Sequence, residues 1–335
     1  MSIIISSDWH VGDKAGSEQH NQDLLDFTEF LIQYSVDNNI TQFAHLGDFF
    51  HNRDKIDVRS LYTATKIVNN LNKRFGKYIQ IIGNHDLFLR DSRTISSLEI
   101  FRDKITLVDD IMTTNGIMFV SWLTSAEEYD NLINLSKKHD IKYILGHFEF
   151  QTFRLNDSYI MEHGQSHKEL SHIKKIYSGH FHMRQNKDNV QYIGSPFPFS
   201  YSDANDFERG FTVLHDDGKE EFVQYDHIHI LSIDYKDFLD NDLSDISNKS
   251  IRLIITEDID DETLNKIKAK LELEVYRDTR ILYQVNKQEE VLNQETDVSN
   301  VESVDDVVKQ HLTNMSDVDG VDNKLLLKLY DQSIC

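Results

Sequence analysis

The chain is almost without cysteine: Cys335 is the single one in 335 residues. No disulfide can form within it, which excludes the cross-linked scaffolds of small secreted domains and fits a reducing cytoplasm. Proline is nearly as scarce. Pro196 and Pro198 are the only two, and both stiffen one loop, Gly194-Ser-Pro-Phe-Pro-Phe-Ser200. No apolar run reaches membrane-spanning length, so no membrane association is expected. The opening Met1-Ser-Ile-Ile-Ile-Ser-Ser-Asp8 lacks a basic n-region and reads as a buried strand, not a signal peptide. Positive charge is also short. Lys+Arg number 35 against 57 Asp+Glu, a formal net charge of −22. Phosphate backbones are normally met by basic patches, so unaided nucleic-acid binding is disfavoured. The imbalance is uneven: residues 226–335 hold 12 basic and 25 acidic side chains, residues 1–225 hold 23 and 32.

What the chain does have is a repeated local pattern. Five apolar stretches each end in metal-binding side chains: Asp8-Trp9-His10, Gly47-Asp48, Gly83-Asn84-His85-Asp86, Gly146-His147 and Gly179-His180-Phe181-His182. Singly, each is an ordinary turn or a surface pair, since Asn and Asp favour turns. Together they can gather seven ligands, Asp8, His10, Asp48, Asn84, His147, His180 and His182, around two divalent ions. Oxygen plus imidazole without thiolate suits Mn, Fe or Zn. Paired ions of this kind catalyse attack of water on phosphate esters.

The length allows one large domain with an appendage, or two domains. Strand and helix signals alternate early. Strands are expected at 2–7, 42–46, 78–82, 117–123 and 143–145, and helices at 22–37 and 58–72. Ser125 and Glu128 predict a capping box opening a third helix. This order implies an α/β core with a sheet covered on both faces. Strands at 190–193, 210–214 and 221–233 follow without long helices, so the core is expected to be parallel early and antiparallel late. A small β-α-β unit is read at 251–256, 262–271 and 280–285. Residues 288–323 hold ten acids and one base with no aromatic, the composition of a linker. Within and after it, Val301, Val304, Val307, Val308, Leu312 and Met315, then Val321, Leu325, Leu326, Leu329 and Tyr330, follow helical spacing. Two short amphipathic helices with nothing of their own to cover read as a docking element for a partner.

Ligands arriving from successive strand tips converge on one edge of a sheet. Asp8 and His10, at i and i+2 of an extended backbone, are expected to reach one ion. His180 and His182 repeat the spacing and could serve either ion. Asp48 has two oxygens and suits a bridge between ions about 3.5–4 Å apart. Asn84 offers a neutral oxygen. His85 is a candidate general acid for the leaving oxygen, and Asp86 is expected to orient it. Trp9 is expected to pack beneath the site. Arg53, Arg59, Arg90 and Arg93 follow ligand motifs, where a solvated surface role outweighs phosphate contact. The remaining histidines, such as His163, His167 and His172, read as surface or packing residues. The Asp317–Asp322 run has its glycine misplaced for a calcium loop.

Over about residues 1–215 these motifs resemble the calcineurin-like metallophosphoesterase superfamily, with its D-x-H, G-D, G-N-H-D/E, H and G-H-x-H pattern. Asp48-Phe-Phe-His51, Tyr192-Ile-Gly-Ser-Pro-Phe-Pro and Glu208-Arg-Gly-Phe211 resemble its SbcD-type DNA double-strand-break repair nucleases. The overall size and the acidic helical tail are similar to small subunits of T-even-like phage recombination nucleases. The resemblance implies a four-layer α/β/β/α sandwich at 1–230, a small α/β cap at 231–287 that helps admit DNA, an acidic linker at 288–300 and a helical docking element at 301–335. It implies one ion on Asp8, His10, Asp48 and His182, and a second on Asp48, Asn84, His147 and His180. The ions would be two Mn2+, with Mg2+, Fe2+ or Zn2+ as substitutes. His85 would be the catalytic histidine and His51 would touch substrate. The implied activity is double-strand exonuclease and single-strand endonuclease, in DNA repair, recombination and replication of a phage, in the host cytoplasm. The implied partner is an SMC-like coiled-coil ATPase bound through residues such as Val304, Val308, Leu312, Leu325 and Leu329, with a homodimer inside a heterotetramer. The alternatives are a small-molecule or cyclic-nucleotide phosphodiesterase or phosphatase on the same scaffold, and a DNA-end scaffold subunit with little catalysis.

Overall fold

Three consecutive isoleucines open the chain because both faces of their strand are covered. In the computed structural model, Ile3–Ser6 is a strand. Ile4 packs toward helices, while Ile3 and Ile5 pack toward a second sheet. Alternating side chains of a central strand must then all be apolar. The structure describes residues 2–156, 159–240, 249–273 and 277–283.

Two six-stranded mixed sheets form the core. In the first, Ile3–Ser6, Gln42–Leu46, Lys77–Ile81 and Thr106–Val108 run parallel in that order. Gly210–Leu214 and then Glu220–Gln224 extend it antiparallel on the other side of Ile3–Ser6. In the second, Ile117–Val120, Tyr143–His147, Lys175–Gly179 and Val190–Tyr192 are parallel. Its edges, Ile111–Thr114 and Gln185–Lys187, are antiparallel. The sheets share a buried cluster that includes Ile3, Ile5, Leu46, Ile81, Phe119, Leu145 and Tyr177. The helices Glu18–Asp37 and Val58–Arg74 cover the outer face of the first sheet, and Ala126–Lys138 covers that of the second. The architecture is therefore mixed α/β.

Antiparallel pairing is not confined to the late strands. Asn115 and Gly116 both take positive φ, 52° and 74°, the Asn-Gly turn that closes a two-residue hairpin. It folds Ile111–Thr114 back onto Ile117–Val120. The 221–233 stretch is also two strands, Glu220–Gln224 and Ile230–Asp234, in different sheets. At the third helix Ser125 accepts from the Glu128 N–H at 3.3 Å. The Glu128 carboxylate, however, accepts from Thr124 rather than Ser125, at 2.7 Å. It also pairs with Arg93, so the reciprocal half of the cap is displaced by one residue.

The small unit has one strand more than the β-α-β reading. Ile230–Asp234, Ser250–Ile255 and Asp278–Tyr283 form a parallel sheet. Tyr235, Phe238, Leu253, Ile255 and Ile267 make its core with the helices Tyr235–Asp240 and Asp261–Leu273. It is tied to the first helix by Arg277, whose guanidinium meets both oxygens of Asp23 at 2.6 and 2.5 Å. Among the described residues no helix is long and apolar enough to cross a membrane. The acidic linker and the helices expected at 301–335, with Val304, Val308, Leu312, Leu325 and Leu329, lie outside the described residues.

Candidate metal centre

The C-terminal ends of five parallel strands, three from the first sheet and two from the second, deliver the motif residues. Asp8, His10, Asp48, Asn84 and His147 are buried. The backbone leading to them is not extended, as the i, i+2 argument for Asp8 and His10 requires. Asp8, His10, Asp48 and His180 all take positive φ, at 56°, 47°, 54° and 92°. Such conformations cost non-glycine residues energy and persist where surroundings over-determine them. Here neighbouring main chains do so. Asp8 N–H donates to Gly47 O, and His10 N–H to Asp48 O, both at 3.1 Å, while Val11 N–H donates to Phe49 O at 2.8 Å.

Two glycines act through close approach. A Cβ on Gly83 would lie 2.2 Å from both the Asp48 nitrogen and its Oδ1, and one on Gly179 would lie 2.0 Å from Ser7 Oγ. Gly83→Ala is expected to lower stability by about 1–3 kcal/mol, the scale of overpacking, and to weaken cation binding with it. Chemical denaturation and a cation titration of the variant check this; wild-type values in both would refute the close packing.

The side chains form two adjoining groups. The ligand atoms of Asp8, His10 and His182 lie within 4.8 Å of one another, and so do those of Asp48, His147 and His180. His10 Nε2 and His182 Nε2 are 3.0 Å apart. Asp48 Oδ2 lies 3.4 Å from His147 Nε2 and 3.9 Å from His10 Nε2, so one oxygen faces both groups. Asn84 Oδ1 lies 2.9 Å from His180 Nδ1 and 3.1 Å from His147 Nε2. His180 and His182 thus divide between the groups.

The hydrogen bonds on the far sides of the rings test whether cations fit. His147 Nδ1–H donates to Leu46 O at 2.6 Å, and His180 Nε2–H donates to Glu149 Oε2 at 3.1 Å. The other nitrogen of each ring then faces Asn84 Oδ1 and Asp48; burial would lower the His147 imidazole, but the Asp48 carboxylate raises it to about 9. A carboxylate, an amide oxygen and two imidazole nitrogens that converge on one point call for positive charge between them, which a divalent cation supplies. Burial alone would raise the Asp48 carboxyl, but His147, His10 and His85 hold it well below the usual range. Burial, reinforced by Asp48, pushes Asp8 up to about 7. Two buried carboxylates side by side are a further reason for positive charge at this point. The residues present fit a pair of divalent ions.

His85 stands beside these groups, its ring 4.9 Å from that of His10 and at 88° to it. Its Nδ1–H donates to His51 O at 2.7 Å. The expectation that Asp86 orients His85 is therefore corrected. Asp86 is fully buried, and its oxygens accept from Phe50 N–H at 3.0 Å and Gly83 N–H at 2.9 Å. It clamps the 83–86 turn to the 48–50 loop, while the carbonyl of His51 orients His85. His51 itself lies over His85, with ring centroids 5.6 Å apart, and its Nδ1 is 3.4 Å from His10 Nδ1.

Several residues have roles at the site that their motifs do not state. Arg209 is buried and donates to His182 O at 2.8 Å and to Ser195 Oγ. The Gly194-Ser-Pro and Arg209-Gly-Phe stretches therefore meet, and together they brace the His182 backbone. Phe199 sets its ring against His10 and His182, at 5.6 and 5.5 Å. Glu149 had a local signal, a carboxylate two residues after His147. Trp9 packs beneath the site against Phe27, Phe43 and Phe49. Of the arginines, Arg93 is spent on Trp122 O, Glu128 and Asp110, Arg90 pairs with Glu149, and Arg59 is exposed while Arg53 is half-buried. His167 bonds Asp188 and His172 bonds Ser136, whereas His163 is exposed.

No family model matches the chain. Over 352 aligned positions it is 28% identical to Exonuclease subunit 1 of Enterobacteria phage T4, covering 99% of this chain and 98% of that one. This chain is a homologue of that subunit. It is also 26% identical over 296 positions, 76% of each chain, to the DNA double-strand break repair protein Mre11 of Nanoarchaeum equitans. One of these relatives is thus named as an exonuclease subunit and the other as a DNA double-strand break repair protein. Among solved structures, a dimetal phosphatase from Danio rerio aligns with 64% of this chain and 91% of its own at 12% identity and a TM-score of 0.38. The nuclease MPE of Pseudomonas putida aligns with 56% and 66% at 18% identity and a TM-score of 0.30.

Proposed function

We propose that this protein is a two-metal DNA nuclease, with double-strand exonuclease and single-strand endonuclease activity, acting as the nuclease subunit of an SMC-like ATPase complex. The observation that carries the reading is the convergence of the Asp48, Asn84, His147 and His180 ligand atoms beside the Asp8–His10–His182 group. One ion would be held by Asp8, His10, Asp48 and His182, the other by Asp48, Asn84, His147 and His180. Oxygen and imidazole donors without thiolate suit Mn2+, Fe2+ or Zn2+; Mn2+ is taken from the family resemblance, with Mg2+ as a further substitute. When bound, such a pair supplies an activated water and positive charge for the phosphate. His85 is the proton holder for the departing sugar oxygen: its Nδ1–H is spent on His51 O, which leaves Nε2 to carry and deliver the proton. His51, stacked on His85, is placed to meet the substrate strand.

In this reading residues 1–230 are a four-layer nuclease domain, and 231–287 are a cap beside the site. Residues 288–300 are the linker and 301–335 the ATPase-docking element of a homodimer within a heterotetramer. Such a complex would act in repair, recombination and replication of a phage in the host cytoplasm. A net charge of −22 leaves DNA affinity to the cations, local basic residues and the partner. The test compares a DNA duplex with a small aryl phosphodiester, each with Mn2+. The duplex is expected to be hydrolysed with a kcat/KM at least about 100-fold higher, some 2.7 kcal/mol of transition-state preference. The opposite ranking would make the protein a small-ester phosphodiesterase.

A further inference from the structure

Arg90 and Glu149 form a salt bridge at 2.6 Å whose arginine side chain is 50% exposed. An ion pair this open contributes little to stability, typically about 0–1 kcal/mol. Its surroundings are nevertheless closely built. The Arg90 guanidinium lies 5.0 Å from the centre of the Trp122 ring, and Trp122 Nε1–H donates to Arg90 O at 3.1 Å. The same indole packs 5.2 Å from the His180 ring and 5.9 Å from that of His147. Behind Glu149, its own carbonyl accepts from Gln165 N–H at 3.0 Å. Gly164, at φ +99°, presses so close that a Cβ there would sit 2.2 Å from that carbonyl oxygen. The oxygen that Arg90 holds, Glu149 Oε2, also accepts from His180 Nε2.

We propose that Glu149 is a positioning residue: with Arg90 it keeps the His180 proton on Nε2 and aims the Nδ1 lone pair at the Asp48–Asn84–His147 group. The inference rests on the two-cation reading above. The histidines are not treated alike. His147 is backed by a main-chain carbonyl, His180 by a carboxylate, and among the described residues no carboxylate hydrogen-bonds to the His10 or His182 ring. A carboxylate behind an imidazole fixes its tautomer and raises its basicity as a ligand, and losing one typically weakens metal binding about 10–100-fold. Glu149 therefore makes the two cation positions unequal, and the position served by His180 depends on it.

Mn2+ titration of the full chain, followed by calorimetry and by the electron paramagnetic resonance of free Mn2+, tests this without reference to turnover. The wild type is expected to bind two ions. In Glu149→Ala one dissociation constant rises about 10–100-fold and the other stays unchanged. Glu149→Gln, whose amide oxygen still accepts from His180, recovers most of the loss. Thermal melting without cation tells a purely structural effect apart, since that would weaken both positions together. Equal weakening of both, unchanged constants in Glu149→Ala, or a Gln variant as weak as Ala would each overturn the inference while leaving two cations in the wild type. A wild type that binds fewer than two would remove the two-cation reading and this inference with it.

Discussion

Asp48→Ala is expected to lose both cations, whereas removing any other single ligand should leave one. The reason is geometric. Asp48 Oδ2 faces His147 Nε2 in one group and His10 Nε2 in the other, while its Oδ1 accepts from His85 N–H at 2.8 Å. Its carboxyl is held well below the usual range, because His147, His10 and His85 outweigh its burial, whereas burial pushes the neighbouring Asp8 up to about 7. Truncation thus removes the negative charge shared by two sets of imidazoles and leaves the half-buried His85 N–H without its acceptor. The latter alone costs about 1–3 kcal/mol. Asp48→Asn separates the effects, since its oxygen can keep the His85 N–H bond while the charge is gone. Metal content after dialysis, with calorimetric titration, should fall from two ions to none in Ala. An Ala variant that retains two ions would refute the bridge.

His85→Ala is expected to keep both cations and lose most nuclease turnover. The backbone N–H that binds Asp48 survives in alanine, and the His85 ring is not among the closest partners of Asn84, His147 or His180. What disappears is an imidazole oriented by His51 O at 2.7 Å and set edge-on to His10. General acid catalysis is worth about 10²–10⁴-fold, so DNA cleavage should fall by that factor. The dependence on leaving group makes the test sharper. A sugar alkoxide needs a proton to depart, but an aryl oxide does not, so the defect should shrink on an aryl phosphodiester. A variant that cleaves DNA at the wild-type rate would remove His85 from the mechanism. One equally impaired on both substrates would assign it to phosphate binding instead.

The residues around the site show where local pattern suffices. Gly47-Asp48, Gly146-His147 and Gly179-His180 are legible because an apolar run, a glycine and a polar group occur in immediate succession, and the strand that carries them is just as local. The reason for the glycine is less accessible. Gly83 and Gly179 are needed because Asp48 and Ser7, 35 and 172 positions away, pass against their backbones. Next to His85 in sequence, Asp86 has the chemistry to orient that imidazole. Adjacent side chains at a turn diverge, and Asp86 instead found the N–H groups of Phe50 and Gly83. Arg209 and Ser195 stand in motifs visible in the sequence, but their shared task behind His182 appears only once the two loops are brought together.

The amino-acid order by itself determined the alternation of strands and helices, the apolar character of the central strands, and a list of oxygen and imidazole donors without thiolate. Each of these depends on residues within a few positions of one another. Tertiary structure sets the approaches that divide the histidines between two groups and put Asp48 near both, which spacing left open or only suggested, and it alone decided that Glu149 stands behind His180. Those outcomes depend on approaches between strand ends up to 172 positions apart, as for His10 and His182. Two facing sheets set those distances, and no local spacing encodes them.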